Sequence, residues 1–227
     1  MVVSPLMHSG ISYDPVKDFA PVVLIKRQTY FLVANPSVPA NSVRELVLLS
    51  KSHNYKLTNA SSGVGSTLHL AGEMMRKIEN IDFVHVPYRG TGPALSAVVA
   101  GEASFMFMDM TVVMPYVKAG RVKVLAVIAA KRVPELPDAP TLAEAGFPNV
   151  GPGGWTAIFV PAGTPRPIID RLNAEVRRTL DLPEVRRALG SDASEFGGNT
   201  PEYVAAFLKS DIARWGEVIK ASGVRAE

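Results

Sequence analysis

The feature that most constrains the fold is a regular alternation of short apolar segments and helical patterns along the first half of the chain. The predicted strands are residues 20–25, 30–34, 55–60, 83–86, 104–108 and 122–129. The predicted helices between them are residues 43–52, 67–78, 94–100 and 112–119. Such spacing is typical of parallel βαβ units, whose loops gather at the carboxyl edge of a sheet, where ligands bind. We therefore predict an α/β fold with a ligand site at that edge.

Capping residues and prolines delimit several elements. Ser42 is predicted to cap the helix over residues 43–52, whose buried side would carry Leu46, Leu48 and Leu49. Residues 131–154 are rich in Pro and Gly and are predicted to be a long connection with one short helix at 141–146. The elements predicted after it are a strand at 155–160, a helix capped by Thr164, a helix at 183–189 and a last helix opening at Thr200.

A glycine- and serine-rich loop separates the predicted strand 55–60 from the next helix. A strand that turns through glycine into a helix leaves backbone N–H groups free at the helix start, and such a terminus binds anions, carboxylates included. Side-chain hydroxyls add further donors at the same place. We therefore predict a carboxylate-binding loop formed by Ser61, Ser62, Gly63, Gly65, Ser66 and Thr67.

A second glycine-bearing loop follows the strand predicted at 83–86 and also leads into a helix. It contains Tyr88, Arg89, Gly90 and Thr91. The guanidinium of Arg89 would suit a ligand carboxylate through two parallel hydrogen bonds, and it would equally suit a solvated loop tip. Asp109 follows a buried strand at the same predicted edge; its carboxylate would accept a hydrogen bond from a ligand amine or hydroxyl, or from the backbone.

Composition excludes several classes of protein and site. The chain of 227 residues has no cysteine, which excludes disulfides, thiolate nucleophiles and Cys-ligated zinc. The net charge of +3 is dispersed, without interleaved aromatics, so a nucleic-acid partner is not expected. The four histidines show no spacing typical of a metal site, and no apolar run reaches transmembrane length. No metal or cofactor is therefore predicted.

An enzyme is the less favoured alternative. Ser66 could act as a nucleophile with His69 or His85 as base and Asp109 as its orienting group. The residues around Ser66, however, do not match the Gly-x-Ser-x-Gly pattern of a serine hydrolase, and the glycines do not match a dinucleotide fingerprint. We predict no catalytic residues, and we expect His69 to be a polar wall residue or a packed histidine.

Five segments, taken in order, resemble the Bug family of solute receptors of tripartite tricarboxylate transporters. They are Tyr13-Asp14-Pro15-Val16-Lys17-Asp18-Phe19-Ala20-Pro21-Val22, Ser61-Ser62-Gly63-Val64-Gly65-Ser66, His85-Val86-Pro87-Tyr88-Arg89-Gly90-Thr91-Gly92-Pro93-Ala94-Leu95, Pro140-Thr141-Leu142-Ala143-Glu144-Ala145-Gly146 and Pro161-Ala162-Gly163-Thr164-Pro165. Each segment alone is a weak signal, and their common order from Tyr13 onward makes the resemblance specific.

The resemblance implies a two-lobed, type II periplasmic-binding-protein-like fold that closes on a small carboxylate and delivers it to membrane permease subunits. Residues 1–34 and 155–227 would form what is present of the first lobe, and residues 35–154 would form the second lobe. The family's second-lobe carboxylate contacts fall on residues 61–67, with Tyr88, Arg89, Gly90 and Thr91 nearby. The family often places an Asp after the strand at 104–108; here Asp109 is followed by Met110, which departs from the usual small residue or Asn.

The resemblance also implies an incomplete first lobe, because the family's export signal, first strand and first-lobe loop have no counterpart before Tyr13. We expect weak or no ligand binding by this chain, and exposed apolar surface on residues 155–227 that promotes self-association. The family location is periplasmic; a cytoplasmic protein is expected if Met1 is the true start. A carboxylate-sensing module for a signalling partner is the alternative function.

Overall fold

The computed structural model describes residues 1–8, 10–52, 55–148, 154–189 and 199–222. In chain order the elements are α1 (Val3–Met7), β1 (Phe19–Arg27), β2 (Tyr30–Ala34), α2 (Val43–Ser50), β3 (Thr58–Ser61), α3 (Thr67–Glu79), β4 (Val84–Pro87), α4 (Thr91–Ala100), β5 (Phe105–Asp109), α5 (Met110–Lys118), β6 (Lys123–Ile128), β7 (Trp155–Pro161), α6 (Arg166–Leu180), α7 (Pro183–Leu189) and α8 (Pro201–Ser222). The chain divides into two compact units: the first contains Met1–Gln28 and Gly154–Lys220, and the second contains Thr29–Gly153.

The second unit is built on a five-stranded sheet in the order β4-β3-β5-β2-β6. β3 runs parallel to β4 and β5, as the alternation of strands and helices predicts, but β2 runs antiparallel to β5 and β6. The prediction of parallel βαβ units is therefore wrong for the unit that begins with β2. The partners of β2 come from far along the chain, and local alternation carries no information on the direction of such a strand.

The position of β2 also corrects the predicted boundary between the two lobes. The sequence analysis places residues 30–34 in the first lobe, but all five are buried in β2, which lies between β5 and β6 in the sheet of the second unit. Tyr30 is paired with Asp109 on one side and with Ile128 on the other. The boundary therefore lies between Gln28 and Thr29.

Helix caps were predicted better than buried faces. The Ser42 hydroxyl accepts a hydrogen bond from the Glu45 amide at the start of α2, which confirms the predicted cap. Leu46 is fully buried, but Leu48 is 62% exposed, so its predicted place on the buried face is wrong. Val43 and Val47 occupy that face instead, at spacings of three and four residues from their buried neighbours.

The short helix predicted at residues 141–146 is a series of turns. Thr141 bridges to Val127 in β6, and the Leu142 amide donates to the Val127 carbonyl, so this segment extends the sheet edge. The Glu144 carboxylate accepts from the Thr141 amide and pairs with Arg132 at 2.9 Å. These bonds satisfy the backbone locally without a helical ladder.

The first unit contains a two-stranded antiparallel sheet of β1 and β7, with α6 packed on β1 through Ile169. The Asn199 side chain completes the outer edge of β1: its oxygen accepts from the Leu24 amide and its nitrogen donates to the Leu24 carbonyl. Both bonds are buried, so a single amide side chain replaces part of a neighbouring strand.

The two predicted caps of this unit have different outcomes. The Thr200 hydroxyl accepts from the Tyr203 amide at the start of α8, as predicted. The predicted Thr164 cap is wrong: α6 begins at Arg166, so the N-cap position falls on Pro165, whose side chain has no acceptor.

Exposed apolar side chains were expected within residues 155–227. In the described part of that range they include Ile168, Leu172 and Leu182. Self-association through them stays a prediction. None of the helices in the described ranges combines the length and apolar character needed to cross a bilayer.

Candidate functional site

The two glycine-bearing loops lie side by side in the second unit, where β3 and β4 end. The Tyr88 amide donates to the Ser61 carbonyl at 2.9 Å, which extends the pairing of the parallel strands β3 and β4 into the loops. A Cβ at Gly63 would lie 3.6 Å from the Tyr88 carbonyl oxygen. The sequence therefore correctly placed the two loops at one edge of the sheet. We call residues 61–67 the carboxylate loop.

The carboxylate loop satisfies some of its own amides, contrary to the expectation that the whole bend presents free donors. The Gly63 amide donates to the Ser61 hydroxyl at 3.2 Å, and the Gly65 amide donates to Nδ1 of His69 at 3.1 Å. The Ser66 amide donates to the Gly63 carbonyl, and the Ser66 hydroxyl caps α3 by accepting from the His69 amide. These four donors are used to shape the loop.

Four other amides of the loop and helix start remain open. Within the described residues, the backbone N–H groups of Ser62, Val64, Thr67 and Leu68 have no hydrogen-bond acceptor. Thr67 and Leu68 are the first two residues of α3, where unpaired amides and the helix dipole concentrate positive charge. The anion-binding character predicted for the loop thus rests on these four donors.

Glycine is required at two positions of the loop. Gly63 has a φ of +128° and Gly65 a φ of +76°, both in regions that side-chain-bearing residues rarely adopt. The left-handed backbone at both glycines reverses the chain between β3 and α3.

Ser61 has a supporting place in the site. Its side chain is fully buried, and its hydroxyl contacts the Gly63 backbone and Nε2 of His85, the latter at 2.7 Å. Ser62, Ser66 and Thr67 are partly exposed. The Thr67 hydroxyl lies 3.1 Å from the Tyr30 hydroxyl.

The second loop forms the neighbouring wall. Tyr88 is half-buried, while Arg89 and Thr91 are exposed. Gly90 has a φ of +110° and precedes the first residue of α4, Thr91. In the described part of the chain, Arg89 has no ion-pair partner, so its guanidinium remains available to an anion.

Asp109 is connected to the carboxylate loop through its neighbour Tyr30 in β2. It stands opposite Tyr30 in the antiparallel pairing of β2 and β5, and Tyr30 in turn contacts Thr67. Its carboxylate caps α5 by accepting from the Thr111 amide and hydroxyl. Tyr30 was missed by sequence reasoning, because only the antiparallel direction of β2 places its hydroxyl beside the loop.

The structure does not assemble the alternative nucleophilic triad. The Ser66 hydroxyl accepts from the His69 backbone amide, and the imidazole of His85 contacts Ser61 instead. Asp109 is engaged with Thr111. The predicted hydrolase residues are therefore not arranged as nucleophile, base and orienting group.

A polar cluster lies directly behind the carboxylate loop. His69 and His85 stack with ring centroids 3.8 Å apart, and Glu73 lies 3.7 Å from Nε2 of His69 and 3.4 Å from Arg76. Burial, and then the charge of any proton on His69, lower the pKa of His85 to about 4. Burial raises the pKa of Glu73, but the His69 hydrogen bond and the charge of Arg76 outweigh it, so the net shift is downward. No motif spacing in the sequence identified this cluster.

The depressed pKa of His85 predicts an acid-sensitive stability. The unfolded chain binds a proton near pH 6.5 and the folded chain only near pH 4, so the contribution is full above pH 6.5 and lost as the pH falls to 4. After allowance for solvent reaching the ring, we expect a loss of about 2 kcal/mol in the free energy of unfolding. Urea unfolding across this range would measure it. His85→Gln should flatten the slope, whereas an unchanged slope would contradict the assignment.

Comparisons with known proteins identify the family. The family model described as "Tripartite tricarboxylate transporter family receptor" (TctC) matches residues 1–224. A "UPF0065 protein in tcbD-tcbE intergenic region" from Pseudomonas sp. (strain P51) is 35% identical over 220 residues, which are 96% of this chain and 66% of that protein. The chain thus spans about two thirds of the length of this relative.

Solved structures give the same result. MatC of Rhodopseudomonas palustris with bound malate is 34% identical with a TM-score of 0.86, and the match covers 96% of this chain and 75% of that one. R. palustris Rpa4515 with adipate is 32% identical with a TM-score of 0.89, covering 99% of this chain and 75% of that one. These likenesses confirm the predicted two-lobed α/β fold class and the resemblance to the Bug receptors. This chain belongs to the TctC family of tripartite tricarboxylate transporter receptors.

Proposed function

We propose that this chain binds a small carboxylate at the carboxylate loop and serves as a periplasmic receptor for a tripartite tricarboxylate-type permease. The single observation that carries the proposal is the group of four open amides at Ser62, Val64, Thr67 and Leu68. Each can donate one hydrogen bond to a carboxylate oxygen, and those at the start of α3 add the field of the helix dipole.

The ligand class proposed here is a dicarboxylate. Two related receptors have structures with malate and adipate, both of which carry two carboxylates. The amides of the loop suit one of these groups. Arg89, exposed on the adjacent loop, suits the second through its planar guanidinium.

Asp109 and Thr67 would influence which ligand groups, carboxylate or hydroxyl, are favoured next to them. The Asp109 carboxylate disfavours a ligand carboxylate close to it, while it can accept a hydrogen bond from a ligand hydroxyl. The partly exposed Thr67 hydroxyl, which lies 3.1 Å from the hydroxyl of the buried Tyr30, can orient toward a polar ligand atom. We therefore propose that hydroxyl-bearing acids such as malate gain one hydrogen bond over adipate here.

Amide chemical shifts measured by ¹⁵N NMR during titration with L-malate and adipate test the proposal. This readout detects weak as well as tight binding, and it localises the ligand. The largest shifts are expected at the amides of Ser62, Val64, Thr67 and Leu68, with smaller shifts at Gly63 and Gly65, whose amides already have acceptors.

Two controls sharpen this experiment. The monoamide of malate lacks one charge and should shift the same amides at a higher concentration. Arg89→Gln should weaken dicarboxylates but leave acetate binding unchanged, since acetate has no second group to engage the guanidinium. If no probe shifts the four open amides, or if all probes act elsewhere, the proposal is wrong.

A further inference from the structure

The shape of the carboxylate loop depends on a hydrogen bond that only one protonation state of a histidine allows. The Gly65 amide donates to Nδ1 of His69 at 3.1 Å. A backbone amide is always a donor, so Nδ1 must carry a lone pair and no proton. A proton at Nδ1 would set two donors against each other and break the bond.

We propose that His69, stacked on His85, is a positioning residue that holds the carboxylate loop in its open-amide conformation only while its Nδ1 is unprotonated. His69 itself does not face the ligand: its side chain is 7% exposed, and its ring lies behind the loop. The consequence for ligand affinity rests on the proposed function, but the consequence for the loop does not.

Glu73 selects the tautomer that this role needs. Its carboxylate lies 3.7 Å from Nε2 of His69, and Arg76 lies 3.4 Å from the same carboxylate oxygen. A carboxylate anion favours the proton on the imidazole nitrogen that faces it, which here is Nε2. The proton is thereby kept away from Nδ1. Glu73 and Arg76 are the charged groups of α3 that face the histidine pair.

His85 completes the attachment of the loop on the other side. Its Nε2 lies 2.7 Å from the Ser61 hydroxyl, which holds both the amide and the carbonyl of Gly63. Each of the two glycines that turn the chain is therefore linked to one ring of the stacked pair. Gly65 bonds His69 directly, and Gly63 is linked to His85 through the Ser61 hydroxyl. A charge on His69 at this distance would repel a charge on His85 and lower the pKa of His85.

A measurement on the ligand-free protein tests the proposal directly. A scalar coupling across the N–H···N bond between Gly65 and His69 is expected near neutral pH, together with a ¹⁵N shift of Nδ1 typical of an unprotonated nitrogen. Both should disappear as His69 is protonated, and the Ser62 and Val64 amide shifts should change in parallel. A protonated Nδ1 near neutral pH, or a loop unaffected by the titration, would overturn the proposal.

Two substitutions separate positioning from mere packing. In His69→Asn the side-chain oxygen can replace Nδ1 as acceptor, whereas in His69→Phe the ring and the stack remain but the acceptor is lost. His69→Asn should keep the loop's amide shifts and remove the part of their pH dependence that comes from protonation at Nδ1 of His69. His69→Phe should change these shifts at every pH. Identical spectra for the two variants would contradict the role of the acceptor.

Titration of the two variants with adipate tests the consequence for ligand affinity. His69→Phe should weaken adipate binding by about tenfold, the effect of one lost hydrogen bond, and His69→Asn should restore it. If the wild-type chain does not bind adipate or L-malate, the proposed function fails, and the ligand-free coupling still decides the positioning role. If it binds and His69→Phe binds equally well, the positioning proposal fails alone.

Discussion

Replacing Gly63 by alanine is expected to lower dicarboxylate affinity by about 100-fold and the free energy of unfolding by about 1–3 kcal/mol. The backbone at Gly63 has a φ of +128°, where a Cβ clashes with its own main chain. The variant can relieve this strain only by rotating the peptide planes on either side. That rotation redirects the open amides of Ser62 and Val64, so the variant should lose ligand affinity even where the chain stays folded.

Gly92→Ala is the matched control for this prediction. Gly92 lies in the first turn of α4 beside the second loop, and a Cβ there would meet no atom within 4 Å. Alanine should be tolerated there and should raise the free energy of unfolding by about 1 kcal/mol or less through its higher helix propensity. Dicarboxylate titration and urea unfolding of both variants would measure the effects. A Gly63→Ala chain that binds as well as Gly92→Ala would show that the loop does not hold the ligand.

The sequence predicted those features that depend on neighbours along the chain. Ser42 and Thr200 were recognised as caps because a hydroxyl before a helix needs only the amide three residues later. Gly63 and Gly65 indicated a turn between strand and helix for a similarly local reason, and both have a positive φ. The position of the glycine-bearing loop between β3 and α3 was therefore predicted correctly, and its binding of a carboxylate stays a prediction.

Features that depend on distant partners could not be predicted in this way. The direction of β2 is set by pairing with β5 and β6, so Tyr30 was not recognised as a neighbour of Thr67. The stack of His69 on His85 brings together a residue of α3 and a residue of β4 that lie 16 positions apart in the sequence. The loop amides taken up by Ser61 and His69 explain why only part of the predicted anion cradle is open.

The second large effect concerns Gly72, which lets α3 approach β3 closely. A Cβ at Gly72 would overlap Nδ2 of Asn59 and would lie 3.2 Å from its Cγ and 3.5 Å from Cζ of Phe83. Asn59 is fully buried, so its side chain has no free space to move into. We expect Gly72→Ala to destabilise the chain by about 1–3 kcal/mol through overpacking, despite the better helix propensity of alanine.

The sign of this effect should reverse when Asn59 is shortened. Within the described residues, neither polar atom of the Asn59 side chain has a hydrogen-bond partner. Asn59→Ala therefore makes room for a Cβ at position 72 without breaking a hydrogen bond. In the Asn59→Ala background, Gly72→Ala should stabilise by up to about 1 kcal/mol, the gain expected at an unhindered helical glycine. Gly216→Ala in α8, where a Cβ meets nothing within 4 Å, gives that reference value.

A double-mutant cycle with urea unfolding measures the coupling between Asn59 and Gly72, which we expect to exceed about 2 kcal/mol. The same variants test whether packing at Gly72 affects the candidate site, because α3 carries His69 and the open amides of Thr67 and Leu68. A helix displaced by the Gly72→Ala side chain should weaken the Gly65–His69 bond, and the double variant should restore it. Equal effects of Gly72→Ala in both backgrounds would mean that contact with Asn59 does not set the position of α3.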